Sequence, residues 1–228
     1  VSAAPPAPLI VAIDGPSGVG KSTVARRLAL RLGVPYLDTG AMYRAIGLHV
    51  LRHGVDPHER EAVEALAEGA AVELEHEADG SFVVLLGGRP VEPAIRAPEV
   101  GEAASAVSTH PGVRRRLVAL QQEAARHWGG VLEGRDIGTR VFPDTPYKFF
   151  LDARADVRGR RRHEELRAAG RDMAYEEVLE EMARRDLRDS TREDSPLTRD
   201  SRYTLVDTSD LTIDEVVDSI AREIASRG

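Results

Sequence analysis

Apolar runs bounded by glycine, proline and small polar residues recur along the chain and alternate with stretches of helical period. The first run, Leu9-Ile10-Val11-Ala12-Ile13, contains no polar residue and predicts a strand covered on both faces. Val24 to Leu30 has helical spacing. Val34-Pro35-Tyr36-Leu37 reads as a second strand, and Thr39 is placed to cap a helix through Ala41-Met42-Tyr43-Arg44-Ala45-Ile46. An acidic helix is expected over His58 to Gly69.

The period then changes. Ala71 to His76 alternates, Asp79-Gly80 is a hairpin signal, Phe82 to Leu86 answers it, and Gly87-Gly88 turns into Arg89-Pro90-Val91. Three short antiparallel strands in a βα chain predict a small insert outside the main sheet. Helices over Pro98 to Val107 and Pro111 to Ala125 each carry proline near the start. Strands Gly130-Val131-Leu132 and Tyr147 to Leu151 resume the main pattern. Helices Asp156 to Ala169 and Tyr175 to Thr191 follow around Gly170, then strand Tyr203 to Val206, a loop from Asp207 to Leu211, Thr212 near the cap, and helix Ile213 to Ser226. Five strands alternating with helices predict a mostly parallel sheet with helices on both faces.

Glycines punctuate the first strand–helix junction in a chemically specific way. In Gly15-Pro16-Ser17-Gly18-Val19-Gly20-Lys21-Ser22 every position of the phosphate-loop template is filled, between a strand and a helix. Glycine lets backbone amides approach phosphate oxygens without a Cβ in the way, and the helix start adds its positive end. Lys21 can reach the β- and γ-phosphates, the Ser22 hydroxyl can ligate Mg²⁺, and Thr23 completes the loop's donor set. ATP and Mg²⁺ are the expected ligands, in a P-loop NTPase-type α/β fold.

Composition narrows the setting. The 228 residues suit a single domain, with 42% apolar and 30% charged residues. No apolar run approaches a spanning helix, so no membrane role is expected. Val1 to Pro8 lacks basic residues and an apolar core; it reads as a frayed tail, not a signal peptide. There is no cysteine, which removes disulfides and thiol chemistry, and a cytoplasmic location is the expectation. The net charge of −7 argues against nucleic-acid binding. Nothing demands an oligomer, so a monomer is expected. Lys21 and Lys148 are the only lysines, and there is no Asn, which removes the guanine-reading Asn-Lys-x-Asp motif of GTPase switches. The arginine bias and scarce amides fit either a heat-adapted source or a GC-rich genome.

Three clusters point to a reaction. On the helix from Tyr175, the stripe Val178, Met182, Arg185, Asp189, Arg192 turns ionic halfway, with Arg188 alongside; such a face suits a polyanionic cleft. Arg158, Arg160, Arg161 and Arg162 follow the strand ending at Leu151 and point several ways around their helix. Ser105, Arg114, Arg135 and Asp136 form the third group, the last two at a strand's C-terminal end, where open α/β sheets bind ligands. Phosphoryl transfer needs this neutralisation and alignment more than acid–base chemistry. The histidines show no paired spacing and receive no metal or catalytic role.

The segments Gly15 to Ser22, Leu37-Asp38-Thr39-Gly40-Ala41-Met42-Tyr43-Arg44, Glu133-Gly134-Arg135-Asp136-Ile137-Gly138-Thr139 and Arg185-Asp186-Leu187-Arg188-Asp189 resemble bacterial cytidylate kinase in order and spacing, from about Leu9 to the C-terminus. Glu133 departs from relatives that carry Asp there, changing reach but not charge. The resemblance implies one kinase domain over 1–228: a core of 9–38, 127–152 and 203–228, a monophosphate-binding region with the antiparallel insert over 39–126, and a helical lid within 153–202. It implies that Arg44 and Arg135 grip the acceptor monophosphate and that Thr39 lies near the bound nucleotide. Ser105, Arg114 and Asp136 would read cytosine, and Arg185 and Asp189 would contact the ribose. Arg158, Arg161, Arg188 and Arg192 would close on the donor and transferring phosphates. The implied reaction is transfer from Mg-ATP to CMP or dCMP. A uridylate or metabolite kinase, or a non-catalytic nucleotide-binding regulator, are the alternatives.

Overall fold

Strand β1 (Ile10–Asp14) is buried almost throughout and forms the centre of the molecule. Its side chains alternate between two cores: Val11 and Ile13 face one side, Ala12 the other. The next strand in space does the same through Val131 and Leu132. A strand buried on both faces needs cover on both, which the helices supply. The computed structural model describes residues 8–227, so the tail expected over Val1 to Pro8 lies, but for Pro8, outside the described residues.

The main sheet is parallel and five-stranded. Its spatial order runs β2 (Tyr36–Asp38), β6 (Gly130–Gly134), β1, β7 (Tyr147–Asp152) and β8 (Thr204–Asp207). In register, Asp14 of β1 lies opposite Gly134 of β6. One face is covered by α1 (Lys21–Leu32) and α8 (Ile213–Arg227), which bury Val24, Leu28, Val216 and Ile220 against Val11, Phe149 and Leu151. The other is covered by α2 (Thr39–Arg52), α3 (Arg60–Gly69), α4 (Pro98–Val107) and α5 (Pro111–Trp128), around Met42, Ile46, Ile95 and Leu117.

The expected insert is present as a second sheet, β3 (Val72–His76), β4 (Phe82–Leu86) and β5 (Arg89–Pro90), antiparallel in that order. Helices α4 and α2 pack unusually close: a Cβ on Gly47 would lie 2.9 Å from the Ala104 nitrogen. That approach brings Ser105 towards the residues of the first turns of α2. Helices α6 (Ala155–Ala168) and α7 (Tyr175–Thr191) share a small core of Leu166, Val178 and Met182. Among the described residues, no helix is long and apolar enough to cross a membrane.

One local feature differs from the sequence expectation, and one was not foreseen by it. Helix α2 is capped by Asp38, whose carboxylate accepts the Ala41 amide at 3.0 Å. Thr39 is already helical, and its hydroxyl donates to the Glu133 carbonyl at 2.7 Å, so it cannot serve as the cap. After Asp136 the chain makes one wide turn, Ile137–Val141, closed by Phe142 N donating to the Ile137 carbonyl at 2.7 Å.

Candidate functional site

The phosphate loop is shaped by its glycines at two points. Gly15 has φ of 150°, and a Cβ there would come 2.2 Å from the Leu151 carbonyl oxygen of β7. Gly20 precedes α1 with φ of 89°, the left-handed conformation that lets the helix start at Lys21. The first-turn amides of Lys21, Ser22 and Thr23 precede the first helical bond of α1, which Val24 makes to the Gly20 carbonyl at 3.0 Å. Lys21 Nζ folds over the loop and donates to the Pro16 carbonyl at 2.6 Å. Burial, then the nearby Arg135 and Arg185 charges, pull its pKa down to about 7, while Glu133 and Asp189 act in the opposite direction.

Helices α6 and α7 bear on this loop. Arg158 donates to the Ser17 carbonyl at 3.1 Å and pairs with Asp186, which also accepts the Ser17 amide and hydroxyl. Arg161 grips Thr208 through its hydroxyl (3.1 Å) and carbonyl (2.7 Å), and Thr208 donates to the Val19 carbonyl. Arg160 and Arg162 instead make exposed pairs with Asp156 and Glu165 on their own helix.

One rung away on the sheet, β6 carries Glu133 and then the corner Arg135-Asp136. Glu133 is buried; its carboxylate accepts the Tyr36 hydroxyl at 2.6 Å and lies against Ser22. Burial raises its pKa, and Asp38 adds to that. Arg135 Nε donates to Asp189 at 2.8 Å; burial opposes its charge, but Asp189 more than restores it. Asp136 is bonded to buried Arg114 and approached by Arg192 Nη2 at 3.4 Å. Arg185 lies 4.0 Å from Asp189, and burial with the Arg135 charge lowers its pKa to about 10. Such mutual repulsion among guanidiniums is relieved by an anion between them.

These groups enclose a pocket of about 90 Å³, whose lining includes Thr39, Tyr43, Arg44, Ser105, Arg114, Arg135, Asp136, Arg185, Asp189 and Arg192. Eight of those ten are the residues expected to bind the acceptor; the other two are Arg192 and Tyr43. A wider cleft of about 570 Å³, lined partly by Arg44, Ser105, Arg185 and Arg188, opens beside it. Arg158 lies against the loop, and Arg161 reaches it through Thr208. Arg188 and Arg192 lie elsewhere: Arg188 Nε donates to Ser105 Oγ at 3.1 Å and Arg192 faces Asp136, because α7 passes the loop at Asp186 and reaches the pocket over the following six residues.

Sequence reasoning missed Tyr43, whose ring lies 5.7 Å from the Arg114 guanidinium and whose buried hydroxyl is pushed up to about 12. It also missed Asp186 and the Tyr36–Glu133 bond. Asp186 had a signal, since it stands inside the Arg185 to Asp189 segment.

The model of the cytidylate kinase family matches residues 11–226. The chain belongs to the cytidylate kinase family. Among relatives, a cytidylate kinase of Corynebacterium glutamicum is 52% identical over 214 residues, covering 93% of this chain and 92% of that protein. A cytidylate kinase of Mycobacterium avium is 48% identical, covering 97% of each. A solved structure of an uncharacterized protein from Eubacterium ventriosum superposes with a TM-score of 0.53 at 17% identity, covering 96% of this chain and 98% of its own, which speaks for the fold alone.

Proposed function

We propose that this chain phosphorylates CMP and dCMP from Mg-ATP by direct in-line transfer, and that Asp136 is the residue that reads the base. As a member of the cytidylate kinase family it is an ATP-dependent CMP kinase. The observation that carries the base assignment is a buried carboxylate set beside Arg114 and close to Ser105, in a pocket adjoining the phosphate loop. Cytosine presents an amino donor at C4 and acceptors at N3 and O2. Asp136 takes the amino hydrogen; Arg114 and Ser105 donate to the acceptors. Uracil reverses the pattern at C4 and N3, so an oxygen faces the carboxylate.

Arg44 and Arg135 hold the acceptor phosphate, with Arg185 and Asp189 at the ribose. An acceptor oxygen, already anionic at neutral pH, attacks the γ-phosphorus; the bond to the β–γ bridging oxygen breaks, and ADP leaves with CDP formed. No general base is required. Lys21, the loop amides, Arg158 and Arg161 neutralise charge on the donor side. The lining suits a magnesium ion: Ser22 beside Glu133 offers a hydroxyl and a carboxylate of the hard-oxygen kind. Ser22 and Glu133 would hold such an ion, which would supply charge neutralisation for the bound triphosphate. The α6–α7 pair acts as the lid, and the enzyme works as a cytoplasmic monomer.

Steady-state kinetics with CMP and UMP test this reading. A mismatched buried polar group predicts a kcat/KM preference for CMP of about ten- to a hundredfold. Equal values for the two nucleotides would overturn the assignment of Asp136.

A further inference from the structure

Beneath the Arg135-Asp136 corner, one carboxylate is bonded on both oxygens. Asp14 closes β1 and has no exposed surface. Its Oδ1 accepts the Ile137 amide at 2.8 Å; its Oδ2 accepts the Gly138 amide at 2.9 Å and the Tyr203 hydroxyl at 2.7 Å. The amides belong to the turn that follows Asp136 directly. Tyr203 precedes β8, on the chain returning from the α6–α7 region. Gly138 makes room for this arrangement, since a Cβ there would lie 2.6 Å from the Tyr203 hydroxyl oxygen.

A carboxylate fully removed from water is tolerated only when its lone pairs are met. Three donors converge on Asp14, and an ionised aspartate is the short side chain that accepts all three while donating none. Asparagine cannot replace it: in either orientation its NH₂ group faces one of the two backbone N–H groups. The backbone at Asp136 is non-helical, with φ of −148° and ψ of 25°, so nothing regular fixes its direction from the β6 side. The Asp14 bonds fix it from the other side.

We propose that Asp14 is a positioning residue for acceptor recognition: by pinning the Ile137 and Gly138 amides, with Tyr203 as a third donor, it sets the direction in which Arg135 and Asp136 face the pocket. The proposal rests on the reading that this corner meets the acceptor. Asp14 itself touches neither nucleotide. Because Gly15 follows it, the same residue ties the corner to the root of the phosphate loop, yet two of its three bonds run to the corner's own turn and none to the loop. Losing one should therefore disturb the acceptor before the donor.

The test is steady-state kinetics with CMP, UMP and ATP on Asp14→Asn, Tyr203→Phe and, as a control on the corner itself, Asp136→Ala, with folding checked by circular dichroism. In Asp14→Asn, KM for CMP should rise about tenfold and the CMP-over-UMP preference should shrink, while KM for ATP stays within about twofold. Tyr203→Phe, which keeps both amide bonds, should move the same quantities in the same direction by about two- to threefold. Equal changes in both KM values, or none, would overturn the proposal. If Asp14→Asn does not fold, Tyr203→Phe decides alone by the same criterion. The underlying reading fails separately: Asp136→Ala with an unchanged CMP-over-UMP ratio removes the corner from recognition. A collapsed ratio there, with KM for CMP unmoved in Asp14→Asn and Tyr203→Phe, sinks only the role of Asp14.

Discussion

Ser17 in the phosphate loop donates both its amide (3.2 Å) and its hydroxyl (2.9 Å) to Asp186 on α7. The same carboxylate holds Arg158, so loop and helix share one anion. A loop amide and a guanidinium, both natural partners for phosphate, are thus occupied by a side chain of the protein itself. Asp186→Ala frees both. Tighter binding of a non-hydrolysable ATP analogue, by about three- to tenfold, is expected from titration calorimetry. Weaker binding would mean that Asp186 organises the loop for its ligand instead of competing with it.

The loop and the corner should fail in different ways. Lys21→Ala is expected to lower kcat by about a hundredfold or more with the dissociation constant for CMP nearly unchanged. Asp136→Ala should mainly erode discrimination between CMP and UMP. Both quantities come from kcat and KM measurements combined with equilibrium CMP binding. Two variants showing only weakened ATP binding would contradict the division.

Arginine pairs in this chain differ in worth by their surroundings. Arg114 and Asp136 are 3% and 8% exposed in their side chains, whereas Arg31 and Asp218 are 48% and 55% exposed. Removing Arg114 strands a buried carboxylate with only Arg192 near it, so Arg114→Ala should destabilise by about 3–5 kcal/mol. Arg31→Ala should fall within about 1 kcal/mol, because water and salt screen that pair. Urea unfolding of both variants is the measurement, and comparable losses would overturn the contrast.

Burial raises the pKa of Asp14 from 3.8 to about 6, against the lowering by its hydrogen bonds to Gly138, Tyr203 and Ile137. A raised folded-state pKa favours the protonated form, so the stability it contributes is present below about pH 4 and is lost as pH rises through about 6. Between pH 7 and pH 5 the wild type should therefore gain about 1.4 kcal/mol relative to Asp14→Asn, which cannot titrate there. Chemical unfolding of both proteins at the two pH values checks the sign. No relative change between the two pH values would show that Asp14 is ionised throughout that range.

The periodic elements were legible in the sequence because local pattern determines them. Helices Pro98–Val107 and Tyr175–Thr191 have the ends that their apolar stripes and flanking residues predict. The phosphate loop and the Arg135-Asp136 corner were legible because their chemistry is confined to a few adjacent positions. Asp14 was not, although it stands next to the loop. Its meaning lies in bonds to residues 123, 124 and 189 positions away, which no window along the chain contains. Asp38 was overlooked as the cap of α2 because Thr39 is an equally good capping type; only the tertiary bond of Thr39 to Glu133 decides between them. Helical phase gives Arg188 and Arg192 a face of α7 but not their neighbours, which are Ser105 and Asp136.

The register of β1 with β6 sets a length. Asp14 and Gly134 are paired across one ladder, so Gly15 and Arg135 leave the sheet from the same rung of neighbouring strands. Adjacent strands stand about 4.8 Å apart, a spacing held by backbone hydrogen bonds and among the least adjustable in a protein. The roots of the donor cradle and the acceptor grip are thereby calibrated against each other by the sheet itself. Motion of α6 and α7 can change what roofs the cleft and how wet it is; the gauge between the two roots stays the same.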